Sequence, residues 1–283
     1  MEFSIEDLTI ICKQIRRDII RMVYIAQSGH PGGSLGCVEL FVALYYRILA
    51  ATPESFTPSG IGEDVFILSN GHITPVFYSV LARRGYFPIA ELATFRKINS
   101  RLQGHPSPAK GLPGIRIATG SLGQGLSVAI GNALAKRLHG DPHLVYVLIG
   151  DGEAQEGQVW EAANFAQHHQ VDNLITLLDL NFKQIDGDTR TVMNTHSLAQ
   201  KWRAFNWEVL EIFNPYDWQE LLTGLEKAKS LTQKRKPIIV LLYTTLGKGV
   251  DFMENDHNWH GKAPNTIEFE KALSQLPATM EDF

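Results

Sequence analysis

Residues 144–152, LVYVLIGDG, and residues 174–181, LITLLDLN, decide how this sequence is read. Each holds an unbroken apolar run of strand character. Each also delivers an oxygen-bearing side chain just past its carboxyl end, Asp151 in the first and Asn181 in the second. Continuous apolar strands are buried on both faces, which points to a parallel sheet covered by helices. Ligands in such sheets sit beyond the carboxyl ends of the strands. A carboxylate with an amide oxygen suits zinc poorly, but suits Mg2+ or Ca2+ holding a phosphate. Gly-Asp-Gly alone is a common turn. The matched Asn181 after the next run tips the reading toward a ligand site, with Gly150 and Gly152 letting backbone approach closely.

The same pattern extends outward. VFILSN from Val65 and PIIVLLY from Pro237 read as further strands, and WEVLEI from Trp207 as a weaker one. Between them lie helix-like segments: ITPVFYSVLARR, GLSVAIGNALAKRL, EGQVWEAANFAQ, SLAQKWRAF and DWQELLTGLEKAKSL. At the N-terminal end, Ser4-Ile5-Glu6-Asp7 resembles a capping box. Leu8, Ile11, Ile15, Ile19, Met22 and Val23 then keep helical spacing up to Ser28-Gly29. A second helix is expected from near Ser34, carrying GCVELFVALYYRIL. Strands alternating with helices give an α/β fold, a mostly parallel sheet with helices on both faces, in one domain over residues 1–283.

Composition narrows the function classes. The 283 residues carry 26 Lys+Arg against 30 Asp+Glu, and this slight acidity argues against nucleic acid as the main partner. No run of about 20 apolar residues could span a bilayer, so no membrane association is expected. The opening MEFSIEDL is acidic where an export signal would be basic. The two cysteines, Cys12 and Cys37, form no disulfide framework. A cytoplasmic location is the expectation. Competing motifs fail: Gly120, Gly123 and Gly125 have the dinucleotide spacing reversed, and no phosphate-loop or zinc-hydrolase signature occurs.

Gly-Asp-Gly, 28 further residues and then Asn resembles the thiamine-diphosphate fold motif, and the flanking words narrow the resemblance to transketolases. SGHPGGSLG from Ser28, SNGHITPVFY from Ser69, GHP from Gly104, LPGIRIATGSLGQGLSVAIG from Leu112, GDGEAQEGQVWEAA from Gly150, NFKQIDG from Asn181 and WHGKAP from Trp259 follow the family's order. The words cover roughly residues 10–265, leaving 266–283 as a tail beyond the resemblance.

The resemblance implies thiamine diphosphate as cofactor, with Mg2+ or Ca2+ held by Asp151, Asn181 and the carbonyl of Lys183. It places Gly152 at the diphosphate, Gly120 and Leu122 beside the aminopyrimidine, and Ile185 against the cofactor rings. His72 and His260 would contact the diphosphate end. His30, His105 and His260 would line the channel over the reacting carbon and shuttle protons, work that imidazole suits near neutral pH. All four of these histidines adjoin a glycine, whereas His139, His143, His168, His169, His196 and His257 read as ordinary solvated side chains. Glu156 matches an acid at the subunit interface.

The implied reaction moves a two-carbon ketol unit from a ketose phosphate to an aldose phosphate. The chain resembles only the first, diphosphate-binding domain of a full-length transketolase, which has three domains and more than twice this length. The acid that activates the cofactor is therefore expected on a separate C-terminal subunit, with two copies of each chain in the enzyme. Deoxyxylulose-phosphate synthase shares the Asp and Asn motif, and the alpha subunit of 2-oxo-acid dehydrogenases binds the same cofactor beside a partner. The SGHPGG and GHP…TGSLGQG words favour transketolase over both. Intact Asp151, Asn181 and the four histidines stand against a third alternative, a non-catalytic binding subunit.

Overall fold

In a computed structural model that describes residues 3–283, the first helix, α1, spans Ile5–Ala26. The Ser4–Asp7 capping box forms, and the apolar stripe from Leu8 to Val23 is buried. The second helix departs from the sequence expectation. It begins three residues earlier, at Pro31, whose missing N–H is harmless in a first turn. It is then interrupted at Cys37, giving α2 (Pro31–Gly36) and α3 (Val38–Ala43), followed by a wider π turn over Leu44–Ile48.

After β1 (Val65–Leu68) the chain alternates as expected: α4 (Thr74–Arg84), α5 (Gln124–Leu138), β2 (Val145–Gly150), α6 (Gly157–His168) and β3 (Leu174–Asp179). A small hairpin, β4 (Lys183–Gln184) with β5 (Gly187–Asp188), and the short α7 (Thr189–Val192) come next and had no sequence signal of their own. The chain continues through α8 (Leu198–Ala204), β6 (Glu208–Ile212), α9 (Trp218–Ser230), β7 (Ile238–Leu242) and α10 (Thr266–Gln275).

The main sheet has the order β1-β2-β3-β7-β6, and every pairing in it is parallel. Side chains alternate between two cores. Phe66, Tyr146, Leu177 and Val240 face the layer of α1, α3, α4 and α9. Ile67, Val147, Leu178 and Leu241 face the layer of α5, α6 and α8. That double burial is why the strands read as unbroken apolar runs. No helix among the described residues is long and apolar enough to cross a membrane.

Residues 266–283 are not a loose tail. Asn265 and Glu268 form a capping box for α10, Phe269 stacks on Tyr24 at 3.9 Å, and Ala272 and Leu276 are buried. Beyond α10, Asp282 takes the Arg17 guanidinium at 2.6 Å. The helix has a half-apolar face and a cap signal, but it lies outside the family words that set the expected boundary.

One buried ion pair joins the layer that carries the His72 loop. Asp18 on α1 accepts both Nε and Nη2 of Arg83 on α4, at 2.9 and 2.8 Å, and the Ser79 hydroxyl at 2.7 Å. Removing one partner of such a pair strands the other charge in the core. Asp18→Ala is therefore expected to lower the unfolding free energy by about 3–5 kcal/mol in urea titrations. A loss below about 1 kcal/mol, typical of surface pairs, would show that Arg83 finds other partners.

Candidate active site

The carboxyl ends of β2 and β3 lie in register, Gly150 beside Asp179, and Asp151 N–H donates to the Asp179 carbonyl at 3.1 Å. The Asp151 carboxylate, itself buried, accepts the main-chain N–H of Gly152 at 2.8 Å and of Phe182 at 2.6 Å. Asn181 is fixed at both ends of its amide. Its Nδ2 donates to Asp179 at 2.8 Å, and its Oδ1 accepts the Lys183 N–H at 2.8 Å. Burial pushes the Asp151 carboxyl up to about 8, with neighbouring Asp179 adding to the shift against the two N–H donors. Burial raises Asp179 as well, opposed by hydrogen bonds from Thr244 and Asn181.

Two adjacent buried acids and an oriented amide oxygen fit a hard divalent cation. Among the described residues no cluster of three His, Cys, Asp or Glu forms a cage that side chains alone complete. Any cation held here would need main-chain or ligand oxygens beside the carboxylate and the amide. Lys183 is suited to give only its main chain there, because its ammonium turns to Asp188 at 3.1 Å.

Beside these donors is a cleft of about 210 Å³ that brings together Asp151, Gly152, Asn181, Leu122, Ile185 and Glu156 with His72 and His260. Ile185 is 58% exposed, an apolar side chain at the mouth suited to a ring ligand. The His30 ring lies 5.0 Å from that of His72 and 5.6 Å from that of His260, and His72 and His260 are 5.0 Å apart. This gathering depends on α2 lying directly on backbone. A β-carbon at Gly32 would meet the Trp259 carbonyl at 2.8 Å, and one at Gly36 the Thr245 carbonyl at 2.8 Å. His105 is exposed and sits over Gly120, whose φ is +124°, with no room there for a β-carbon. His30, His105, Gly120 and Lys183 do not line the cleft itself; His30 lies behind it, against the His72 and His260 rings.

Burial lowers the whole histidine group. His30 falls to about 4, through burial first and then the neighbouring His260, Arg96 and His105. His72 lies well below its ordinary value, again from burial and then from His260 and His30. Burial lowers His260 too, and burial followed by Arg96 lowers His105. All four rings are therefore neutral at pH 7, each able to take a proton at one nitrogen and give one at the other. Nδ1 of His30 and of His260, with Oδ1 of Asn70, is buried and unpartnered within the chain.

Two acids at the site were not anticipated. Asp179 orients Asn181 as described. Glu153 is buried and ties three loops together, accepting the Ser69 hydroxyl, Gly123 N–H at 2.8 Å and Gly150 N–H at 3.1 Å. Glu156, three residues on, is exposed and flanks the start of α6. Both Glu153 and Glu156 belong to the word GDGEAQEG, and only the 3-10 turn over Glu153–Gln155 separates an inward acid from an outward one.

Comparison with known proteins agrees with this geometry. The profile of the transketolase thiamine diphosphate-binding domain matches residues 9–278, so the match takes in α10. The chain is 35% identical over 278 residues to an apulose-4-phosphate transketolase subunit of Phocaeicola vulgatus, covering 98% of this chain and 96% of that one. It is 40% identical over 248 residues to a 6-deoxy-6-sulfo-D-fructose transketolase subunit of a Clostridium species, covering 88% of each. It is 35% identical to human transketolase but spans only 38% of that protein's length. The crystal structure of the Campylobacter jejuni transketolase superposes with a TM-score of 0.87 at 34% identity, over 97% of this chain and 43% of that one. The chain belongs to the transketolase thiamine diphosphate-binding family.

The donor set makes a direct prediction. Thiamine diphosphate with Mg2+ at about 100 times its dissociation constant should stabilise a folded protein that binds it by about 2.7 kcal/mol. Asp151→Ala should abolish that stabilisation, followed as the shift in thermal unfolding. An equal shift in the variant would remove Asp151 from the metal site.

Proposed function

We propose that this chain is the diphosphate-binding subunit of a two-chain transketolase, transferring a two-carbon ketol unit between a ketose phosphate and an aldose phosphate in the cytoplasm. The observation that carries the reading is one cleft in which Asp151, Gly152 and Asn181 meet His72 and His260, with His30 against both rings. The near full-length match to proteins named as transketolase subunits supports it, as does the partial match to a transketolase of more than twice this length.

Thiamine diphosphate, when bound, supplies the electron sink for breaking and making the carbon–carbon bond. The chain supplies placement and proton traffic. Asp151, Asn181 and the Lys183 carbonyl would hold Mg2+ or Ca2+ on the diphosphate, and the Gly152 N–H would face the diphosphate itself. Leu122, Gly120 and Ile185 would flank the rings. His72 and His260 would hydrogen-bond at the diphosphate end. His30 and His260, lowered by burial, and the more exposed His105, lowered also by Arg96, are suited to accept a proton from a substrate hydroxyl and return it to a carbonyl oxygen. Glu156 would meet the partner from the rim, in an assembly with two copies of each chain.

Two outcomes test this reading. Alone, with thiamine diphosphate and Mg2+, the purified chain should show no ketol transfer, and adding a C-terminal transketolase subunit should restore it; full turnover by the lone chain would overturn the two-chain proposal. In the reconstituted enzyme, His105→Ala should lower kcat/KM by roughly 100-fold or more with little change in cofactor affinity, the mark of a lost transition-state contact. His72→Ala should weaken cofactor binding in the same titration. Equal losses of cofactor affinity in both variants would contradict the division of roles.

A further inference from the structure

The loops that carry His30 and His105 come from separate parts of the chain, and one guanidinium lies between them. Arg96 has a left-handed backbone, φ 58°, held by its N–H donating to the Leu102 carbonyl at 2.9 Å. Strained backbone of this kind persists where the surroundings over-determine it, and it clusters at functional sites. Nη1 of Arg96 donates to Ser28 Oγ at 2.8 Å, two residues before His30. The guanidinium also rests on Gly104, one residue before His105. A β-carbon at Gly104 would come within 2.7 Å of Arg96 Cζ, so the glycine is what admits the group. Nη2 approaches the Gly104 carbonyl at 3.5 Å, and Nε is buried without an acceptor.

We propose that Arg96 is a positioning residue that locks the two substrate-facing histidine loops to each other and so fixes His30 relative to His105. The proposal rests on the role given to those histidines under Proposed function. A planar fork can lie flat on Gly104 while donating sideways to Ser28; a lysine ammonium carries the charge but cannot make both contacts. The cation has a second effect. It disfavours protonation of both rings, at His30 alongside His260 and His105, with the His72 ring 5.0 Å away, and at His105 as the charged group that bears on it. Tyr78 is the titratable group bearing on Arg96 itself. Position and charge can therefore be separated by substitution.

The test uses Arg96→Lys and Arg96→Met in the enzyme reconstituted with its C-terminal subunit, with ring NMR of 15N-histidine-labelled chain. Both variants should lower kcat/KM by roughly 10- to 100-fold, the effect of small misplacement of catalytic groups, with thiamine diphosphate affinity unchanged. In Arg96→Met the midpoints of His30 and His105 should also move up, because the repelling cation is gone, whereas Arg96→Lys should keep them near wild type. Ser28→Ala removes one anchor without touching the core. It should shift the ring resonances of both His30 and His105, and it decides the matter should the Arg96 variants fail to fold. Wild-type kcat/KM in both Arg96 variants, while His105→Ala is impaired, would overturn the clamp and leave the functional reading standing. Undiminished kcat/KM in His30→Ala and His105→Ala would overturn the functional reading instead. The clamp would then be judged on the ring resonances alone, and unmoved resonances in Ser28→Ala would refute it.

Discussion

Two carboxylates, Asp151 and Asp179, are buried beside each other at the carboxyl ends of adjacent parallel strands, and their neighbours are arranged around that fact. Like charges out of water repel, and burial raises both groups. The chain offsets this with donors: two main-chain N–H groups on Asp151, and an amide and a hydroxyl on Asp179. Every one of those donors is set by local structure. Gly152 and Phe182 lie in the loops after β2 and β3, and Thr244 follows β7, so three neighbouring strands end on one electrostatic problem. A divalent cation is the natural complement of such a place, and its diphosphate would then lie over the Gly152 loop.

The parts of the molecule legible in the sequence were those in which one residue's environment follows from its immediate neighbours. Strands β1, β2, β3 and β7 were visible because each is apolar on both faces, and β6 was weaker because it is a half-exposed edge. Asp151 and Asn181 were visible because they terminate such strands. The cleft's histidines were found through family words, and the glycines that follow His30 in α2 turn out to be close-packing positions against Thr245 and Trp259. Residues whose role depends on distant partners were invisible. Glu153 binds Ser69, 84 positions away, and Arg96 binds Ser28, 68 positions away. The break at Cys37 belongs to the same class, since the packing of α2 on the segment after β7 has no local signature.

Glu153 and Glu156 show how little sequence separates a buried structural acid from an exposed one. Glu153 sits under the loop that carries Gly123 and Gly125, and bridges it to Ser69 at the end of β1. It thereby ties the end of the Gly120–Gly123 loop to the strand ends. Glu156 makes no side-chain hydrogen bond within the helix it starts, and it faces outward where Gly157 has open space around it. An inward acid that shapes the floor and an outward acid at the rim are different physical objects. Substitution at the first should act through loop position, and at the second through whatever covers the rim.

The distribution of satisfied and unsatisfied groups follows the same division. At Asp151, Asp179 and Asn181 the side chains are paired within the chain. Around the histidines the pattern reverses: buried Nδ1 atoms of His30 and His260 and Oδ1 of Asn70 have no partner in the chain, and Ile185 is exposed beside them. An unpaired buried polar atom costs about 1–3 kcal/mol, so these are atoms for water or a ligand to pair. Neutral imidazoles with a free nitrogen are what proton exchange with a hydroxylated substrate requires. The strand-end half of the site is thus paired within the chain, while the histidine half keeps unpaired polar atoms. Rigid placement must then come from outside those rings, from the glycine-packed α2 on one side and the guanidinium between the loops on the other.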